Sequence, residues 1–322
     1  MAVVNTAAFE AAGYPGRTGF TVPEGGSVPL DEHGAALGLL EETARGLVSG
    51  AMPPKTTAQV AEQIGAASDV ALAAGITSVT EPGLGAPEHL GQSVTDLAAY
   101  QLAREQGRLG VRATVMPYLT TLHPVGAQDA PDAADARGDD AAGSPPGGAA
   151  GARGTLTDRP FGLDLGLRTG LGDDRLRIGA VKVLADGSLI GRSAFMTEDY
   201  AADAEAGVSN AGYLQFPREW LEERLTAAHA NGWQLAVHAI GDGAVDVVLD
   251  VLEAAQRRFP REDCRHRIEH FGVASDEQVA RAARLGVVPV PQGRFVNELG
   301  DGIARAMGEP VSYTHLTLPT KA

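Results

Sequence analysis

The apolar positions of this chain alternate between two periods. From Thr56 onward, runs with apolar residues three and four apart take turns with short β-branched runs. Thr56 and Gln59 stand at capping-box spacing ahead of a helical stretch that reaches Ala74 and stops at Gly75. Ile76–Thr80 (ITSVT) reads as a strand, Asp96–Gln106 as a helix ended by Gly107, and Val111–Leu119 as the next strand. Arg177–Leu184 (RIGAVKVL) is a further strand. Pro217–Asn231 is a helix with Trp220, Leu221, Leu225 and Ala228 on one stripe, stopped by Gly232. Strand Gln234–His238, helix Ala244–Ala255 and strand Arg265–His270 follow. A helix capped by Ser275, with Gln278 at its third position, ends at Gly286 before strand Val287–Val290. Strands separated by helices of this length predict parallel βαβ units in an α/β fold. Six such strands are two short of the eight that close a barrel.

Three segments break the alternation. In residues 1–50, Ala2–Ala12 predicts a short helix, Pro15–His33 a turn-rich hairpin or cap, and Ala35–Val48 another helix. We assign these residues as a cap of the barrel domain, which runs over 51–311. Residues 127–154 are almost wholly Ala, Gly, Asp, Pro and Arg, with no Val, Ile, Leu or aromatic. Such a stretch cannot offset its ordering entropy by burial and predicts a disordered surface insertion, since the alternation resumes after it. Ser312–Ala322 (SYTHLTLPTKA) reads as a translated adapter tail foreign to the protein, and His315 is set aside with it.

Composition narrows the function. A net charge of −15 over 322 residues argues against nucleic acid and anionic membrane surfaces as partners. A single cysteine, Cys264, excludes an internal disulfide and offers no thiolate cluster. There is no apolar run of about 18 residues and no secretory leader pattern. The expectation is a soluble cytoplasmic protein acting on a small-molecule substrate, with a homodimer as an admissible assembly.

Three strands end in residues that carry chemistry. Residues at the C-terminal ends of parallel barrel strands converge on one pocket, and here those residues are Lys182, His238 and His270. Lys182 lies within an apolar strand, where a charged amine is costly to bury. It either points outward and snorkels, stays neutral as a Schiff-base nucleophile, or takes up carbon dioxide as a carbamate able to bridge two metals. His238 is either a packed histidine or a ligand. Asp242, after a tight Gly241 turn, stands where a carboxylate could fix the ring's tautomer. His229, near a helix end, reads as a surface residue. His266 and His270 also fit the H-x-x-E-H motif of inverted zinc proteases, but that motif needs a helix and this run reads as a strand. On a strand His266 lies near the barrel floor and His270 at the mouth. Asp186, Gly187 and Ser188 follow the lysine strand on a loop that could meet substrate. Glu81 and Tyr118 stand near the same mouth.

Together, V-K-x-x-x-D-G-S at Val181–Ser188, V-H-A-I-G-D at Val237–Asp242, R-H-R-I-E-H at Arg265–His270 and A-G-I-T-S-V at Ala74–Val79 resemble the YtcJ-like branch of the amidohydrolase superfamily, the amidohydrolase 3 group. N-T-A-A-F-E-A-A-G at Asn5–Gly13 and G-L-L-E-E at Gly38–Glu42 resemble it too. The resemblance implies a (β/α)8 TIM barrel of the metal-dependent hydrolase type beside a small β-sandwich. It implies that Lys182 is a carboxylated lysine ligand, that His238 and His270 are metal ligands, and that Asp242 and Glu269 support them. It implies one or two divalent ions, with zinc favoured by the donor set, and hydrolysis of a non-peptide C–N bond by a metal-activated water. Departures from the family pattern are an absent H-x-H pair on a first strand, an absent eighth-strand aspartate and absent sandwich strands, so no catalytic residue is assigned. The expectation is therefore an inactive fragment of a longer chain, with a barrel lacking its first and last strands. The rival readings are a Schiff-base lyase using Lys182 and a non-catalytic ligand-binding barrel.

Overall fold

A computed structural model describes residues 2–23, 26–51, 53, 55–86, 93–125, 156–158 and 160–308. The segments 127–154 and 312–322 singled out above lie outside the described residues. The chain divides into two compact units, Met1–Val70 with Ala86–Gly110, and Ala71–Gly85 with Val111–Ala322.

The first unit contains β1 (Ala2–Val3), α1 (Thr6–Ala11), β2 (Gly26–Ser27), β3 (Leu39–Glu42), α2 (Gly46–Ser49), most of α3 (Thr57–Ala73) and α4 (Asp96–Glu105). The Asn5 side chain caps α1 by accepting from the Ala8 amide at 3.0 Å. Phe9 packs with Val28, Ala36, Leu40, Ala44 and Val48 into a small core. A helix over 35–48 was expected; the chain instead forms β3, paired antiparallel to β1 and β2, and then the short α2. The reason is Gly38. Its φ is +100°, and a Cβ there would stand 2.6 Å from the Val4 carbonyl oxygen, so a helix cannot pass through it. At α3 the predicted capping box forms: the Gln59 side chain accepts from the Thr56 amide at 2.9 Å, and Thr56 Oγ1 accepts from the Gln59 amide at 3.3 Å.

The second unit carries β4 (Ser78–Leu84), β5 (Arg112–Pro117), β6 (His123–Pro124), β7 (Phe161–Gly162), β8 (Leu176–Ile178) and β9 (Val181–Leu184). After these come α5 (Ala201–Glu205), α6 (Arg218–Ala230), β10 (Leu235–Ala239), α7 (Asp242–Arg258), β11 (Arg267–His270), α8 (Asp276–Arg284), β12 (Val288–Val290) and α9 (Arg294–Met307). Strands β4-β5-β8 and β12-β11-β10-β9 form two parallel sheets. A parallel bridge from Tyr118 to Lys182 carries the pairing of β5 onward to β9. The six predicted strands are therefore all present in one parallel series, and the strand expected at 177–184 is broken at Gly179–Ala180 into β8 and β9. Helix α9 had no forecast in the sequence.

Helices α6 and α7 cover the outer face of β10. Helix α7 buries Val245, Val248, Leu249, Val251 and Leu252, each large aliphatic side chain stabilising by roughly 1.5–3 kcal/mol. Helix α6 ends at Ala230, two residues before Gly232, and is closed by Arg261, whose guanidinium donates to the carbonyls of His229 (2.7 Å), Trp233 (2.9 Å) and Gly232 (3.0 Å). The register of the parallel sheet fixes the inner face. Lys182, Ala236, Arg267 and Val288 stand at one level, and Leu184, His238, Glu269 and Val290 at the next toward the C-terminal ends.

Candidate metal centre

Lys182 is buried in the strand series rather than snorkelling to solvent, with 5 % of its surface exposed. Its Nζ donates to the Val183 carbonyl at 3.1 Å. Burial pulls its pKa down to about 7, against the opposing fields of Glu269 and Asp186 and with a smaller downward push from Arg267. Much of the amine is thus unprotonated near neutral pH.

His238, at the end of β10, is held by the loop after β9. Its Nε2 lies 2.9 Å from the Gly187 carbonyl and 3.2 Å from Asp186 Oδ1. Both partners are acceptors, so Nε2 carries the proton and Nδ1 keeps the lone pair. The expected brace, Asp242, does not reach the ring. Its carboxylate accepts from the amides of Thr197 and Gly243 at 2.9 Å and from the Thr197 hydroxyl, at the start of α7. Asp186 takes that place. It was expected on the pocket wall, yet it is fully buried, and its carboxylate also accepts from the amides of Phe195 (3.0 Å), Ile240 (3.1 Å) and Gly241 (2.9 Å). Gly241 is required here because a Cβ would meet the Phe195 carbonyl oxygen at 2.0 Å. Gly187 and Ser188 likewise serve the loop itself: Ser188 donates its amide to Ser193 Oγ at 3.0 Å.

His270 reaches the same place by a different route. On a regular strand it would share the helix-facing side with Ile268. The chain instead turns left-handed at two successive residues, with φ of 73° at His270 and 48° at Phe271, a conformation costly for residues other than glycine. That turn brings the His270 ring within 4.5 Å, centroid to centroid, of the His238 ring. Its Nδ1 lies 2.5 Å from Gln292 Oε1, and Phe295 stacks on it at 5.7 Å. Burial, with the neighbouring His238, lowers its pKa to about 4. Glu269 faces inward and pairs with Arg267 on the same strand. Nη2 donates to Oε2 at 3.1 Å, while the closer contact of Nε with Oε1 at 2.7 Å is not aligned as a hydrogen bond. Tyr118 is fully buried, and its hydroxyl accepts from the Leu184 amide at 3.3 Å. Glu81 sits within β4, paired with Val115.

A second histidine pair lies at the opposite end of the sheet. His229 was read as a surface residue; it is fully buried, because the segment from Phe259 to His266 closes over the last turn of α6. With Cys264 and His266 it forms the one cluster of three potential ligand atoms within 4.8 Å of one another among the described residues. Hydrogen-bond chemistry argues against a metal there. The Leu235 amide donates to His266 Nδ1 at 3.1 Å, so His266 carries its proton on Nε2 and donates to His229 Nδ1 at 2.8 Å. His229 Nε2 then donates to the Phe259 carbonyl at 2.7 Å. Metal on His266 Nε2 would force a proton onto Nδ1, directly against the Leu235 N–H. The H-x-x-E-H protease reading falls as well, since 267–270 is a strand.

The donor set at the C-terminal ends does fit a divalent ion. Among the described residues, His238 Nδ1 and His270 Nε2 have no hydrogen-bond partner, and the buried amine of Lys182 stands on the inner face with His238, one register level below it. The missed contributors are Gln292 and Phe295, which follow β12 on a segment with no periodic signal. The Gln292 stretch VPVPQGRF carries no family motif quoted above.

Comparison with known proteins agrees with this frame. A model described as the amidohydrolase family matches residues 1–313. YtcJ of Bacillus subtilis (strain 168) is 28 % identical over 294 residues, covering 91 % of this chain and 46 % of that protein. The protein LONG AFTER FAR-RED 3 of Arabidopsis thaliana is 33 % identical over 147 residues, 45 % of this chain and 24 % of its own length. In fold the chain is similar to an uncharacterized metal-dependent hydrolase from Pyrococcus furiosus, with a TM-score of 0.60 and 23 % identity, over 95 % of this chain and 50 % of that one. A metal-dependent hydrolase from Pyrococcus horikoshii OT3 gives 0.58 and 24 %, over 88 % and 46 %. The chain thus spans about half the length of YtcJ and of the two Pyrococcus hydrolases.

Proposed function

This chain belongs to the amidohydrolase family, and we propose that it forms part of a metal-dependent hydrolase acting on a non-peptide C–N bond of a small molecule. The observation that carries the reading is the meeting of the His238 and His270 rings at the C-terminal ends of adjacent parallel strands, with one nitrogen of each lacking a hydrogen-bond partner among the described residues and the buried Lys182 amine one register level below on the neighbouring strand. Such ends are where barrel enzymes place their chemistry. A divalent ion held by His238, His270 and Lys182, zinc by the match of imidazole and carbamate oxygen donors, would supply an acidified water and a Lewis-acid contact to the substrate carbonyl. Lys182 is placed to become an anionic ligand. Its unprotonated Nζ attacks carbon dioxide: the N–C bond forms as one C=O π bond breaks and its electron pair moves onto oxygen, and one N–H proton is lost, giving a carbamate anion. Asp186 and the Gly187 carbonyl hold the proton on His238 Nε2 and so keep Nδ1 available. The partial-barrel architecture, with strands beyond these six completing the pocket, belongs to the same proposal.

Zinc uptake by the purified chain, measured by inductively coupled plasma mass spectrometry after growth and dialysis in zinc, tests the reading. The wild type is expected to retain zinc, and His238→Ala, His270→Ala and Lys182→Ala to lose most of it. Growth with ¹³C-bicarbonate should add a carbamate carbon signal that Lys182→Ala lacks. A wild type without bound metal, or a lysine trapped by borohydride in the presence of a carbonyl substrate, would overturn it, the latter in favour of Schiff-base chemistry.

A further inference from the structure

We propose that Gln292 is a positioning residue that selects the tautomer of His270 and thereby turns Nε2 of that ring toward a bound metal; the inference rests on the metal-centre reading of the same site. The argument begins from the amide. Gln292 Nε2 donates to the Val290 carbonyl at 3.2 Å, at the end of β12. That bond settles which end of the amide is which, a choice otherwise open at a glutamine. Gln292 Oε1 is left facing His270 Nδ1 at 2.5 Å. An amide oxygen only accepts, so Nδ1 of His270 must carry the proton and Nε2 must hold the lone pair.

The ring needs this help for a reason visible in its backbone. His238 is delivered by the ordinary pleat of β10 and is braced by the β9 loop. His270 is the last residue of β11 and is left-handed there, so the ordinary pleat does not fix its direction. Two side chains from one later segment do so instead. Phe295, in the first turn of α9, lies nearly parallel to the imidazole, with 9° between the planes, and sets its plane. Gln292 sets its rotation within that plane. Metal-bound histidines generally donate their second nitrogen to such a partner, and loss of the partner typically lowers metal affinity 10–100-fold.

The test is carried out on the full chain. Long-range ¹H–¹⁵N correlation spectra of ¹⁵N-histidine-labelled, metal-free protein report the tautomer, with His270→Gln identifying the His270 signals. Wild type should carry the proton on Nδ1. Gln292→Leu should shift it toward Nε2, the tautomer favoured by free imidazole in water. Gln292→Glu, which keeps an acceptor, should retain Nδ1–H. Cobalt(II) titrations followed by visible absorption should show a 10–100-fold weaker affinity for Gln292→Leu and a value within a few-fold of wild type for Gln292→Glu. An Nε2 proton in the wild type overturns the inference, whether or not any variant folds. So does a tautomer indifferent to Gln292→Leu, or cobalt binding indifferent to it. If the wild type takes up no cobalt, the metal-centre reading itself has failed, and the inference falls with it; cobalt binding that ignores Gln292 removes the inference alone.

Discussion

The two histidine pairs of this chain sit at opposite ends of the same strands and look alike by proximity. His229 and His266 have ring centroids 5.1 Å apart, His238 and His270 4.5 Å. Their nitrogens tell them apart. In the first pair each nitrogen is bonded, in a chain from the Leu235 amide through both rings to the Phe259 carbonyl. In the second pair each ring spends one nitrogen on a protein acceptor and leaves the other without a partner among the described residues. The first arrangement is a neutral structural relay, and the second is a site with capacity for a ligand. Clustering of histidines is therefore a weaker guide to a metal than the fate of each lone pair.

Substitution should separate the pairs most sharply. His266→Ala leaves the Leu235 amide and the His229 ring without partners and opens a cavity, and should cost roughly 3–5 kcal/mol in urea unfolding, with the zinc content of the folded fraction unchanged. His270→Ala should do the reverse, losing zinc while the metal-free protein unfolds at nearly the wild-type midpoint.

Acid should act on both pairs. Burial holds His266 at about 3, with His229 and Arg261 adding to the shift, and His270 at about 4, against about 6.5 in the unfolded chain. Each folded ring therefore binds its proton less readily than the unfolded one. Their contribution is fully present above about pH 6.5 and is lost as pH falls toward 3–4, by on the order of a few kcal/mol for His266. Urea midpoints of the metal-free protein should decline across this window, and less steeply in His266→Ala. A flat profile in the wild type would show that the relay is not held neutral by burial.

Asp186→Asn should come next, at about 2–3 kcal/mol, since its new NH₂ must face one of the amides of Phe195, Ile240 and Gly241. The same variant should also weaken zinc retention through His238. The smallest effect belongs to Cys264→Ala. Its thiol makes only long contacts, 3.4 Å to the Arg261 carbonyl and 3.8 Å to Gln256, and the change should stay within about 0.5 kcal/mol and leave metal content intact. Zinc lost from Cys264→Ala would reverse the comparison and make the floor cluster the metal site.

The strand series was legible because its signal is local: β-branched runs bounded by glycines. Lys182 and His238 were legible for the same reason, since the pleat and the strand end fix where they go. His270 was placed at the mouth by its position at the strand end, but the left-handed turn that brings it there has no signature in R-H-R-I-E-H. Asp186 took the role expected of Asp242, and Asp242 binds Thr197 and Gly243 at the start of α7 instead, because both depend on how the loop after β9 folds back over β10, a long-range fact. Helix 35–48 failed at Gly38, whose conformation is dictated by Val4, more than 30 residues away. His229 was misread because only the return of residues Phe259 to His266 over the end of α6 makes that helix end interior.

The left-handed pair at His270 and Phe271 has a consequence for transplantation. A side chain carried by the pleat can be grafted onto another sheet by copying one position. His270 cannot, because its direction is written in the backbone of two residues and in the later segment that clamps the ring. A designer borrowing this half of the site would need to move Arg267–Gly272 and the stretch from Val290 to Phe295 as one piece.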